Sequence, residues 1–136
     1  MLDVLIFQNV IPVVRFMLKV FILGPYRPPK WARKIPVISH IYILKNVYRA
    51  WRLSRQVWDL GHIAICPHLN TAFMPEYDNR YLDGYQEVLK MCDCGLTVRG
   101  FSKSSGAMEE HKSLMYMNRK IFYSIKEFKT YLGTKE

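Results

Sequence analysis

Three short stretches hold most of the residues that could do chemistry. In the first, Ser104, Ser105 and Gly106 precede two adjacent carboxylates, Glu109 and Glu110, and then His111. Hydroxyls and a glycine ahead of an apolar-periodic run mark a helix start, whose free backbone N–H groups attract anions. Acids in a first helical turn also simply suit the helix dipole. Neighbouring helical residues lie ~100° apart, so at most one of the two carboxylates can point squarely into a site. A half-buried carboxylate facing a phosphate-binding loop would suit nucleophilic attack at a sugar carbon. In the second stretch, Gly24, Pro25, Tyr26 and Arg27 are followed by Lys30, Arg33 and Lys34. A glycine that lets the backbone approach a ligand, a fixed turn and several cations together make an anion site, with phosphate the usual anion; the alternative is a solvated basic loop. In the third, Cys66-Pro67 leads to His68, which reads either as a ligand contact or as a structural histidine. Zinc is not expected, because Cys66, His68, Cys92 and Cys94 lack the usual ligand spacings. No cysteine has a placed histidine or asparagine partner that would make it a nucleophile. No cofactor is expected.

The elements that must position these residues alternate. The apolar run 19–23, ending at Gly24-Pro25, reads as a buried strand of a parallel sheet. The proline-rich stretch 25–39 reads as a loop. Leu44, Val47, Trp51 and Trp58 recur at helical spacing over 40–60, with Gly61 as the stop. Strands are expected at 62–66, 94–98 and 120–123, helices at 81–92, 106–118 and 125–132, and loops at 67–80 and 100–105. This pattern predicts an α/β fold, a small doubly wound domain of the Rossmann-like or flavodoxin-like kind with a mainly parallel sheet of four or five strands. In such a sheet the loops after the strand ends meet in one crevice, where ligands bind. That crevice would gather all three stretches.

With 136 residues, the chain has room for one domain. Residues 19–136 are expected to form it, with 1–18 an extension or extra element. A half-apolar composition excludes a disordered chain. The charge of +9 is uneven: residues 1–60 carry ten Lys and Arg against Asp3 and Asp59, and residues 25–55 hold eight of these cations and no acid. Lys45, Arg49, Arg52 and Arg55 line one helical face, read as solvated surface or an oligomer contact, and less readily as a nucleic-acid stripe. The longest uncharged N-terminal run, 4–14, is shorter than the ~20 residues that a membrane span needs. No membrane partner is expected, nor a signal peptide, since the start is acidic. Three cysteines, two of them separated by one residue, suit reduced thiols in a cytoplasm.

Several motifs together resemble the nucleoside 2-deoxyribosyltransferase-like family, in particular its small, often phage-borne members. They are Leu23-Gly24-Pro25-Tyr26-Arg27, residues 46–50, Gly61-His62, Cys66-Pro67-His68-Leu69-Asn70-Thr71, residues 89–93, Gly100-Phe101, Ser104-Ser105-Gly106-Ala107 and Glu110-His111. A more distant likeness is to the 2′-deoxynucleoside 5′-phosphate N-hydrolases. The resemblance implies a glutamate nucleophile four residues after the glycine, which selects Glu110, acting on a nucleoside or nucleotide. It implies Ser104 and the loop around Gly24 and Arg27 as phosphate contacts. Pro25, Tyr26, His68, Asn70, Phe101 and Gly106 join the expected substrate site, and the chain is expected to form dimers or larger homo-oligomers in the cytoplasm, the host's if phage-encoded. The sequence departs from the family where an acid normally grips the sugar hydroxyls. Tyr85 stands there, with Asp83 two residues earlier. A nucleotide-binding protein without turnover is therefore the alternative, and a basic nucleic-acid binder a lesser one.

Overall fold

The computed structural model describes residues 16–71 and 79–135. Most of the expected N-terminal extension and half of the loop at 67–80 lie outside these residues. Four strands, β1 (Lys19–Leu23), β2 (Ile63–Ile65), β3 (Cys94–Thr97) and β4 (Lys120–Phe122), form one all-parallel sheet in the order β2-β1-β3-β4. Val20 pairs with Ala64 on one side and with Cys94 on the other, and Cys94 in turn with Lys120. The helices are α1 (Pro36–Asp59), α2 (Pro67–Asn70), α3 (Asn79–Lys90), α4 (Ser105–Tyr116) and α5 (Ile125–Lys135).

After the exposed Lys19, β1 is apolar throughout because helices cover both faces of the sheet. Val20 and Ile22 pack with Leu96 and Phe122 against Ala50 and Val57 of α1 and Phe128 of α5. Phe21 and Leu23 point the other way, onto Leu89 of α3 and Leu114 of α4. Gly95 has no side chain because Leu114 and Leu23 occupy its space: an added Cβ would meet their Cδ1 atoms at 2.5 and 2.9 Å. The strand start is anchored at both neighbours. The Leu18 N–H donates to Nδ1 of His62 at 3.1 Å and the Lys19 N–H to Oδ2 of Asp93 at 2.7 Å.

Two boundaries differ from the expectation for the same reason. The proline-rich loop ends early, since α1 starts at Pro36 rather than at 40, and the segment after β2 opens with a helical turn at Pro67. A proline in the first turn of a helix has its φ already set and lacks only an N–H that would have no partner there. Read as breakers, both prolines are instead starts. Gly61 does end α1, at a φ of +84°. Among the described residues no helix is long and apolar enough to cross a membrane.

Candidate functional site

The strand order reverses direction at β1, so the carboxyl ends of β1 and β3 flank the switch point of the sheet. There the chains touch. The Val98 N–H donates to the Leu23 carbonyl at 2.6 Å, and Gly24 is pressed so close that a Cβ would lie 2.8 Å from Cβ and Cγ2 of Val98. Gly24 is buried, and the reason for a glycine is this contact with Val98.

His68, 6 % exposed, locks the third segment onto this point. Its Nε2 lies 3.0 Å from the Gly24 carbonyl and 3.1 Å from that of Pro25. Carbonyls only accept, so Nε2 carries the proton and Nδ1 is the bare nitrogen. Nδ1 is buried and has no hydrogen-bond partner. Burial lowers the imidazole pKa below 6.5, against the pull of the two carbonyls. Tyr26 meets the His68 ring edge-on at 6.1 Å, and its carbonyl accepts from the Asn46 amide at 3.2 Å. His68 thus holds the β1 loop in place.

The basic loop is partly committed to its own shape. Nε of Arg33 donates to the Pro28 carbonyl at 2.9 Å. Arg27, Lys30 and Lys34 are exposed.

On α4 the helical phase separates the two carboxylates. Ala107 and Leu114 are buried, and the spacing places Glu110 on their side and Glu109 away from it. Glu109 is exposed and lies 3.6 Å from Nζ of Lys112. Glu110 is half-buried, and among the described residues it has no hydrogen-bond or ion-pair partner; burial pushes its carboxyl up to about 8. Ser104 caps the helix, its Oγ accepting the Ala107 N–H at 3.3 Å. Gly106 is different from Gly24. Its nearest contact to an added Cβ is Oγ of Ser104 at 3.9 Å and its φ is ordinary, so internal packing does not call for a glycine.

Asn70 and Tyr85 are brought together, with each other. The Tyr85 hydroxyl lies 2.9 Å from Oγ1 of Thr71 and 3.2 Å from the Pro67 carbonyl, and accepts from the Asn70 amide at 3.3 Å. It latches α2 to α3. Asp83 is exposed on α3.

The same edge joins the expected Phe101 and His111 to an aromatic residue that the motif reading leaves out, Tyr123. Phe101 stacks on His111 at 5.4 Å with 27° between the planes, and Nε2 of His111 is 2.9 Å from the Tyr123 hydroxyl. Tyr123 follows β4, whose loop also belongs to this edge. The strand-end rule applied to the fourth strand would have found it. Among the described residues no three His, Cys, Asp or Glu side chains gather to hold a metal ion.

The fold and this edge define a small parallel α/β domain with a topological switch point between β1 and β3. Comparison with protein-family models, curated sequences and solved structures finds no match, so the likeness to the deoxyribosyltransferase-like family rests on the motifs alone.

Proposed function

We propose that the chain cleaves or transfers the N-glycosidic bond of a deoxynucleoside or its monophosphate through Glu110. One observation carries the reading: a half-buried, unpartnered carboxyl in the second turn of a helix that leaves the carboxyl edge of the sheet. The Glu110 carboxylate attacks the anomeric carbon, and the electrons of the C–N bond leave with the base, which takes up a proton. Water or a second base then displaces the glutamate. Room at Gly106 lets a phosphate approach the free N–H groups of α4, with Arg27 and Lys30 at the β1 loop as counter-charges. Phe101 and Tyr123 offer ring faces to a base. On the same reading the protein works in the cytoplasm and a second copy completes the site.

Incubation with deoxynucleosides and their monophosphates, followed by chromatography of free base, tests this. Base release should fall at least ~10³-fold in Glu110→Gln, and equal release by wild type and variant overturns the assignment. Because only the ionised carboxylate attacks, kcat/KM should climb with pH and level off above about 8.

The second reading, a nucleotide binder without turnover, is favoured by Tyr85, whose hydroxyl is occupied by Thr71, Asn70 and the Pro67 carbonyl where the family has a free acid. It predicts that deoxynucleoside monophosphates raise Tm while no base is released.

A further inference from the structure

α1 is 24 residues long, and one face is settled: Ile43, Asn46, Ala50, Ser54 and Val57 are buried in the domain. The opposite face is not polar. Val37, Ile41, Leu44, Tyr48, Trp51 and Trp58 recur at alternating spacings of about four and three and are 71, 57, 56, 57, 40 and 51 % exposed. Trp31, in the turn before the helix, is 59 % exposed and stacks edge-on with Tyr42 at 5.8 Å. Tyr42 lies outside the stripe, beyond the cationic flank, so two of the three tryptophans, Trp51 and Trp58, belong to the stripe itself. At 1.5 Å per residue the stripe runs for roughly 30 Å. Lys45, Arg49 and Arg52 flank it, with no carboxylate partner among the described residues, and Asp59 is the only acid in the helix.

We propose that this face adsorbs to an anionic lipid surface, with α1 lying in the interface plane. An apolar stripe bordered by cations of one sign, with tryptophan at the boundary, is the composition of an interfacial helix. The uniform sign of the flank is the complement of anionic headgroups. Arg55 decides between a bilayer and a packed protein partner. It stands in the line of the stripe, with its guanidinium 5.8 Å from the Trp51 ring. Between packed helices that position would bury a charge without a partner. At a lipid interface the side chain extends along the indole and keeps its charge among the headgroups. In a second copy packed antiparallel on the same stripe, Lys45 would face Arg52, like against like. Adsorption of this kind needs no spanning helix and is independent of the chemistry proposed for Glu110.

The full chain is mixed with 100-nm vesicles of phosphatidylcholine and phosphatidylglycerol at 70:30, and with pure phosphatidylcholine, then sedimented while tryptophan emission is followed. Wild type should pellet with the anionic vesicles, shift its emission to the blue, be quenched by lipids brominated on the acyl chain, and bind at least tenfold less to the neutral ones. Leu44→Glu and, separately, Lys45→Glu combined with Arg52→Glu should each weaken binding at least tenfold. These side chains are exposed, and an unchanged circular-dichroism melt establishes that the variants fold. The proposal is overturned if Leu44→Glu binds the anionic vesicles as wild type does, which would mean adsorption by net charge alone. It is also overturned if vesicles do not bind while sedimentation equilibrium shows a dimer that Leu44→Glu dissociates, or while an acidic amphipathic peptide saturates the face.

Discussion

Two glycines of the candidate site occupy opposite situations, and the contrast can be measured. Gly24 is a packing glycine: a methyl group would sit 2.8 Å from Cβ of Val98, a backbone-anchored atom that cannot swing away. Gly24→Ala should cost about 1–3 kcal/mol, as forced overpacking does. Gly106 has open space around it and ordinary helical geometry. Gly106→Ala should leave Tm unchanged or raise it, with a gain of up to about 1 kcal/mol from reduced chain entropy. If the open space serves a bound phosphate, the same substitution should weaken deoxynucleoside monophosphate binding without weakening the fold. Thermal melts with and without the nucleotide separate the two effects; a Gly106→Ala protein that melts lower and binds normally would reverse both assignments.

Among the elements, α2 is a single helical turn with no core of its own, held to the β1 loop by His68 and to α3 by Tyr85. Tyr85→Phe removes the hydroxyl and leaves Asn70 and Thr71 without their partner. The expected cost is about 1 kcal/mol, with faster amide exchange confined to residues 67–71. Exchange unchanged there would show that the His68 contacts alone hold α2. This latch also marks the limit of what the sequence discloses. β1 can be read to the residue because four apolar positions after Lys19 end at a glycine, and the end of α1 because Gly61 stops it. The starts of α1 and α2 cannot, since Pro36 and Pro67 look like breakers until a helix follows them. Once Leu114 fixes the phase of α4, Glu110 and Glu109 separate by spacing alone. The Tyr85–Thr71 contact and the Phe101–His111–Tyr123 set join distant segments. Nothing local in the chain announces either.

At the scale of the whole molecule, burial shifts the titration of His62, His68 and Glu110, and the histidines bear on stability in the opposite direction to the glutamate as the pH changes. His62 and His68 both have their pKa lowered below 6.5 by burial. His62 also accepts the Leu18 N–H at Nδ1, which requires a bare nitrogen. Below about pH 6.5 the unfolded chain takes up protons at these rings before the folded one does, so stability falls as the pH drops. Glu110 acts in the other direction. Its folded carboxyl titrates at about 8 against an ordinary 4.5, so between those values the folded protein holds a proton that the unfolded chain has lost. Stability therefore declines as pH rises through that window, by up to about 1.4 kcal/mol per unit. Between pH 6.5 and 8 the histidine contribution is largely exhausted and the Glu110 decline dominates; below 6.5 the histidines work against it. Tm should accordingly fall from pH 6.5 to 8. Glu110→Gln removes the group that titrates on the alkaline side, so the variant should hold a level Tm from pH 6.5 to 8 while keeping the acid descent. A wild-type Tm that is flat from pH 6.5 to 8 would show that Glu110 ionises freely in the folded protein, and would remove the burial on which its proposed chemistry rests.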